Sequence, residues 1–128
     1  MGLIKLSKLG LTSVYSRQSA VGYKLVIKSV VVTIVTGTVA GNRNAVVLHL
    51  DDSAEVISIL ASTGVFTTVS SSISAGMDPV NPVAPAQSAL TGNYKDIEIF
   101  SADVFSVQMS LQTGDVVNLR MVYDEEPA

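Results

Sequence analysis

The run YKLVIKSVVVTIVT, residues 23–36, constrains this chain more than any other stretch. Its β-branched side chains are stiff at χ1 and suit a pleated, half-buried surface better than a helix. It is longer than the usual strand of about 5–6 residues, so one bent strand or two are expected there. The same chemistry fills the rest of the chain, with 20 valines, 16 serines and 9 threonines. No segment carries a helical stripe.

Turn signals divide the remainder into further strands. AVVLHL (45–50) and EVISILA (55–61) read as a hairpin pair, and VFTTVSSSI (65–73) follows Gly64. YKDIEIF (94–100), VFSVQMSL (104–111) and VVNLRMVY (116–123) come later. The last two are expected to form a tight hairpin through QTGD, with Gly114 at positive φ. Seven to eight strands without helices predict an all-β antiparallel sandwich of jelly-roll type over residues 21–128. Residues 1–20 lack a clean period and are expected as an N-terminal arm or first edge strand.

At 128 residues the chain is one domain with room for a real core. It has no cysteine, which excludes disulfides, zinc thiolates and thiol nucleophiles. Lys5 and Lys8 interrupt the first apolar run, unlike the core of a signal peptide. The most apolar segment, 25–35, is too short to span a membrane as a helix, and no membrane partner is expected. Charged residues are 15% of the chain, against about 25% in an ordinary soluble domain. Part of so neutral a surface is expected to meet another protein. The charges are also sorted by sign. The first fifty residues hold Lys5, Lys8, Arg17, Lys24, Lys28 and Arg43 and no acid, while all 11 acids follow. Such sorting suits contact between neighbouring copies. The cations are dispersed and the net charge is −3, so no nucleic-acid partner is expected.

HLDDSAE (49–55) holds the only histidine. Strand alternation puts Val46, Leu48 and Leu50 on one face, the expected core, and turns His49 outward with Val47 and Asp51. Asp51, Asp52 and Ser53 then supply the side-chain-to-backbone bonds of a hairpin tip. A zinc or facial-triad iron site needs more histidines than this chain has. The acids of 51–55 lack the alternation and central glycine of a calcium loop. No G-x-S-x-G, Walker or G-x-G-x-x-G pattern occurs. Paired carboxylates such as Asp96 or Glu98 with Asp103 are better explained as solvated strand faces than as a glycosidase pair. No catalytic residue, metal or cofactor is expected. In MDPVNPVAPAQSALTG (77–92), Pro79, Pro82 and Pro85 recur every third residue, which suits a polyproline II arm or a stiff surface loop.

Two stretches, GTVAGNRNAVVLHLDDSAEVI (37–57) and LQTGDVVNLRMVYDEEP (111–127), resemble a pattern of small β-sandwich virion proteins of tailed bacteriophages. The shared elements are the Gly41-Asn42-Arg43 turn, the acidic hairpin at Asp51-Asp52, the Gly114-Asp115 turn and the terminal pair Glu125-Glu126. Asn44, Ala45 and Ala54 depart from it. The resemblance implies a non-enzymatic part of a virus particle, above all a capsid decoration or cement protein, or a tail or fibre accessory. Its expected partners are copies of itself, as a homo-oligomer such as a trimer, and the major capsid or tail protein. The expected contact regions are Lys5, Lys8 and Arg17 on an acidic patch, Pro79, Pro82 and Pro85 as an arm, and Asp124, Glu125 and Glu126 on a basic neighbour. The alternative is a glycan- or receptor-binding module, with Tyr94 beside Asn93 and Lys95 as its sugar platform.

Overall fold

A computed structural model of the chain describes residues 4–18, 20–76, 97–100 and 102–127. These form nine strands: β1 (Ile4–Leu11), β2 (Tyr15–Gln18), β3 (Tyr23–Val35), β4 (Asn44–Leu50), β5 (Val56–Ser62), β6 (Ser72–Gly76), β7 (Ile97–Phe100), β8 (Val104–Ser110) and β9 (Val116–Pro127). No helix occurs among the described residues, so none is long and apolar enough to cross a membrane. Two antiparallel sheets pack face to face, one ordered β1-β9-β3-β6 with β7 also on β3, the other β2-β8-β4-β5. The pairs β1·β9, β2·β8, β3·β6 and β4·β5 are nested, as when one long hairpin is rolled up. That nesting defines a jelly roll. Strand β7 is an addition to it.

The long valine-rich run is a single strand, β3, with one irregularity. Ile27 faces Tyr123 and Ser29 faces Val122, which leaves Lys28 as the extra residue of a bulge. The bulge switches the inward parity, from Leu25 and Ile27 to Val30, Val32 and Ile34, all fully buried. Residues 4–18 lie within the sheets: β1 is the outer strand of the first and β2 of the second. The core cluster is aliphatic, with Phe105, Met121 and Tyr123 as its largest unsaturated or sulfur-bearing members.

Three expectations are corrected. The run 65–73 is mostly loop, with a single bridge between Phe66 and Arg43 before β6 starts at Ser72. The QTGD turn forms, with Asp115 N–H donating to the Gln112 carbonyl and Gly114 at φ 90°, but it is a corner between sheets and not a hairpin. Strand β8 pairs with β2 and β4, and β9 with β1 and β3, so the strands it joins diverge.

The third correction concerns β4. Its inward residues are Ala45, Val47 and His49, opposite Met109, Val107 and Phe105 of β8. Leu48 and Leu50 are 8% exposed and lie outside the core cluster. His49 is therefore buried, at 6% exposure, and not turned to solvent. The strand is apolar on both faces, so alternation alone does not select the inner one.

Among the described residues, each open edge carries a feature that resists strand addition. Strand β1 holds Lys5 and Lys8 and a bulge between Lys8 and Leu11, where Gly10 has φ 70°. Strand β5 has two register shifts, which leave Leu60 and Ile57 without opposite numbers on β4. Strands β2, β6 and β7 are 4, 5 and 4 residues long.

Candidate functional site

The most highly organised polar site joins the Gly41-Asn42-Arg43 and Gly114-Asp115 turns. Arg43 and Asp115 are 72 positions apart and meet with both side chains at 0% exposure. Arg43 Nε donates to Asp115 Oδ2 at 2.9 Å and Nη2 to Oδ1 at 3.0 Å. This is a bidentate fork, the strongest geometry for such a pair. The remaining guanidinium protons reach backbone carbonyls: Nη1 donates to Gly41 and Thr67, and Nη2 also to Val39. Asp115 in turn accepts the Gly37 N–H on Oδ1 and the Gln112 N–H on Oδ2. One ion pair thus ties together the loops after β3, β5 and β8. Burial without waste is possible because all five guanidinium donors have acceptors.

Glycine makes the approach possible. A Cβ on Gly37 would sit 3.2 Å from the Gly114 carbonyl carbon, and one on Gly41 2.6 Å from Gln112 Nε2. Gln112 Nε2 itself donates to the Asn42 carbonyl. Beside this latch is a shallow cleft of about 200 Å³ lined by Asn42, Arg43, Asn44, Val65 and Ser110.

The hydrogen bond from Arg43 lowers the Asp115 pKa to about 2, helped by the Gly37 and Gln112 N–H groups and the Arg43 charge, against burial. The Asp115 hydrogen bond and charge raise that of Arg43, again against burial. Because the folded pKa lies below the unfolded value of 3.8, the ionised latch stabilises the fold fully above that pH. The stabilisation is lost as pH falls from about 4 through about 2. Thermal melts between pH 7 and pH 2 should therefore show a steepening loss of Tm below pH 4. In Asp115→Asn that part of the slope should be missing; an unchanged slope would remove Asp115 from the acid transition.

HLDDSAE forms the tip of the β4–β5 hairpin. Asp51 Oδ1 accepts the N–H groups of Ser53 and Glu55, and Ala54 takes the left-handed conformation at φ 64°. His49 Nε2 lies 3.0 Å from Asp103 Oδ2. Glu98 is bound to Lys24 at 3.0 Å, so Glu98 and Asp103 have separate partners. Asp96 lies outside the described residues. Among the described residues no group of three or more His, Cys, Asp or Glu is placed to hold a metal ion.

The expected contact residues are scattered. Lys5 is exposed on β1 opposite Val122. Lys8 Nζ lies 5.4 Å from the Tyr15 ring centroid, and the Arg17 guanidinium 5.2 Å from that of Tyr123. Among the described residues, Arg17 Nε and Asp124 Oδ1 are buried without hydrogen-bond partners. Asp124 faces Val26 and Glu125 faces Leu25, while Glu126 comes within 3.8 Å of Lys24. Strand β1 pairs with the 117–123 part of β9, whose one charged residue is Arg120, whereas Asp124, Glu125 and Glu126 lie beyond it, in register with β3. Pro79, Pro82, Pro85 and Tyr94 lie outside the described residues.

Comparison of the chain with protein-family models and with curated proteins gives no match.

Proposed function

We propose that this chain is a non-enzymatic structural protein of a tailed-bacteriophage particle, one that self-associates and binds the capsid or tail surface. The most specific form of the reading is a capsid decoration (cement) protein, located in the virion. One observation carries it most: the Gly-Asn-Arg and Gly-Asp turns, on which the resemblance to such proteins rests, meet in a single buried ion pair. Two short motifs that are individually common become one structural device. The fold is compatible, since jelly rolls build virus capsids as well as lectins, although this is an argument from architecture. The buried charge in this site is spent on holding loops, with no donor left over for a substrate.

The test is direct. Particles released by the host that encodes this chain would be purified on a density gradient and their proteins quantified by mass spectrometry. The chain should be present in tens to hundreds of copies per particle; its absence would overturn the reading. A glycan-binding module is the second reading, favoured by the amide-lined cleft at Asn42 and Asn44. Binding of the isolated chain to a glycan array, abolished by Asn42→Ala with Asn44→Ala, would favour it.

A further inference from the structure

Strand β3 has β9 along one side over its whole length, from Tyr23 to Val35. Its other side is shared by two strands. Strand β6 pairs with Val31 to Val35 and ends with Gly76 opposite Val31, while β7 pairs with Lys24 to Ile27 and starts with Ile97 opposite Ile27. Both are antiparallel to β3, so both run the same way along one line. Only Lys28, Ser29 and Val30 separate the two registers. A step that a few extended residues would cover, about 10 Å, is thus answered by the twenty residues 77–96. The facing directions agree across the break. Ala75 opposite Val32 and Ile99 opposite Leu25 are all fully buried in the core cluster. The Lys28 bulge switches the parity of β3, so a link of about two residues would preserve that agreement. Strand β6 also stays hard against β3 up to the break, since a Cβ on Gly76 would sit 2.7 Å from the Val30 carbonyl oxygen.

We propose that β6 and β7 are the two halves of one strand, and that residues 77–96 are an insertion into it which the sandwich does not need in order to fold. Taken together, the halves complete the roll. Each sheet then has four strands, β1-β9-β3-(β6/β7) and β2-β8-β4-β5, and β7 is an addition only while it is counted apart from β6. The rival reading makes 77–96 a true connection that is needed to place β7. Against it, β7 is held by four register pairs with β3 and by Ile99 in the core, and none of these contacts involves 77–96. Connections within compact domains are commonly about 4–6 residues long. Longer additions are tolerated where the fold already brings their ends together, because the entropy of closing a loop grows slowly with its length. Here β3 holds both ends. The fold therefore carries a place where chain can be added, removed or exchanged without rebuilding the core. This goes beyond the particle reading and does not depend on it.

The experiment replaces 77–96 with a Gly-Ser link in the otherwise full chain. Thermal unfolding is compared with the parent by circular dichroism, and amide hydrogen exchange is followed over β3 and β7. The expected result is a cooperative melt with a Tm at or above the parent's, because a shorter closure costs less chain entropy. The amides of β3 and β7 should be protected as in the parent. If the direct link strains the strand, a Gly/Ser stretch of the original length in place of 77–96 should melt within about 5 °C of the parent. The same Gly/Ser replacement of 63–71 should instead lower the Tm by about 10 °C or more. That segment carries Phe66 on Arg43 and the Thr67 carbonyl to which Arg43 Nη1 donates. Loss of the cooperative melt in both 77–96 variants, or loss of protection in β7 while the rest stays folded, overturns the proposal. Neither result touches the particle measurement, so the two readings fail separately.

Discussion

Asp115→Asn should lower the unfolding free energy by about 3–5 kcal/mol, the usual result of removing one member of a buried ion pair. The amide is nearly isosteric, so lost packing contributes little. Its NH₂ group, however, would face donors, because the two carboxylate oxygens accept from Arg43 Nε, Arg43 Nη2, Gly37 N and Gln112 N. The guanidinium would also keep its full charge at 0% exposure with nothing opposite. For a chain of this size the fall in Tm is about 10 °C or more. Arg120→Ala, at an exposed position of β9, should stay within about 0.5 kcal/mol of the parent. Chemical denaturation of both variants measures this, and a loss under 1 kcal/mol for Asp115→Asn would show the latch to be energetically idle. Replacing both partners distinguishes this site from a simple ion pair. An isolated buried pair can often be exchanged for apolar residues at no cost. Here Arg43→Met with Asp115→Leu would strand the carbonyls of Val39, Gly41 and Thr67 and the N–H groups of Gly37 and Gln112. At about 1–3 kcal/mol for each buried group left unsatisfied, the double variant should be no more stable than the single one.

The latch also marks where sequence reasoning reaches its limit. Both of its turns are visible as Gly-containing motifs, and both form where the glycines suggest. That they meet is a property of the topology, which brings the corners after β3 and β8 to the same end of the sandwich. The all-β class, the β4–β5 hairpin and the span of β3 follow from local chemistry, because β-branched runs and turn residues act over a few positions. The corner at 112–115 is misread for the opposite reason: a tight turn fixes only its own four residues, and the choice of sheet is made by distant partners. The run 65–71 has strand composition without a strand neighbour along its length, apart from Phe66 on Arg43. Composition measures how well a residue suits a sheet, while only the fold supplies a sheet to join.

Inward parity is the remaining case, and Val47→Asp tests it with an effect larger than that of Asp115→Asn. Val47 is fully buried between Val107 and Ala61, themselves fully buried, so a carboxylate there has no route to water. It has no cation to pair with either, since the Arg43 donors are all engaged. An uncompensated buried charge costs several kcal/mol, comparable with the roughly 5–15 kcal/mol that holds an average domain folded. Val47→Asp should therefore be largely unfolded at pH 7 by far-ultraviolet circular dichroism. Burial raises the pKa of the introduced carboxyl in the folded state, so its penalty shrinks as pH falls. Partial refolding is expected near pH 5, still above the range in which Asp115 is protonated. Leu48→Asp should behave differently. Leu48 faces Ser106 and Ile59 outside the core cluster and keeps 8% exposure, against none for Val47, so a carboxylate there has a shorter path to water. A loss of about 1–3 kcal/mol from apolar contacts would leave the chain folded at pH 7. If Leu48→Asp unfolded and Val47→Asp did not, β4 would be turned over, with Val46, Leu48 and Leu50 inside and His49 in solvent.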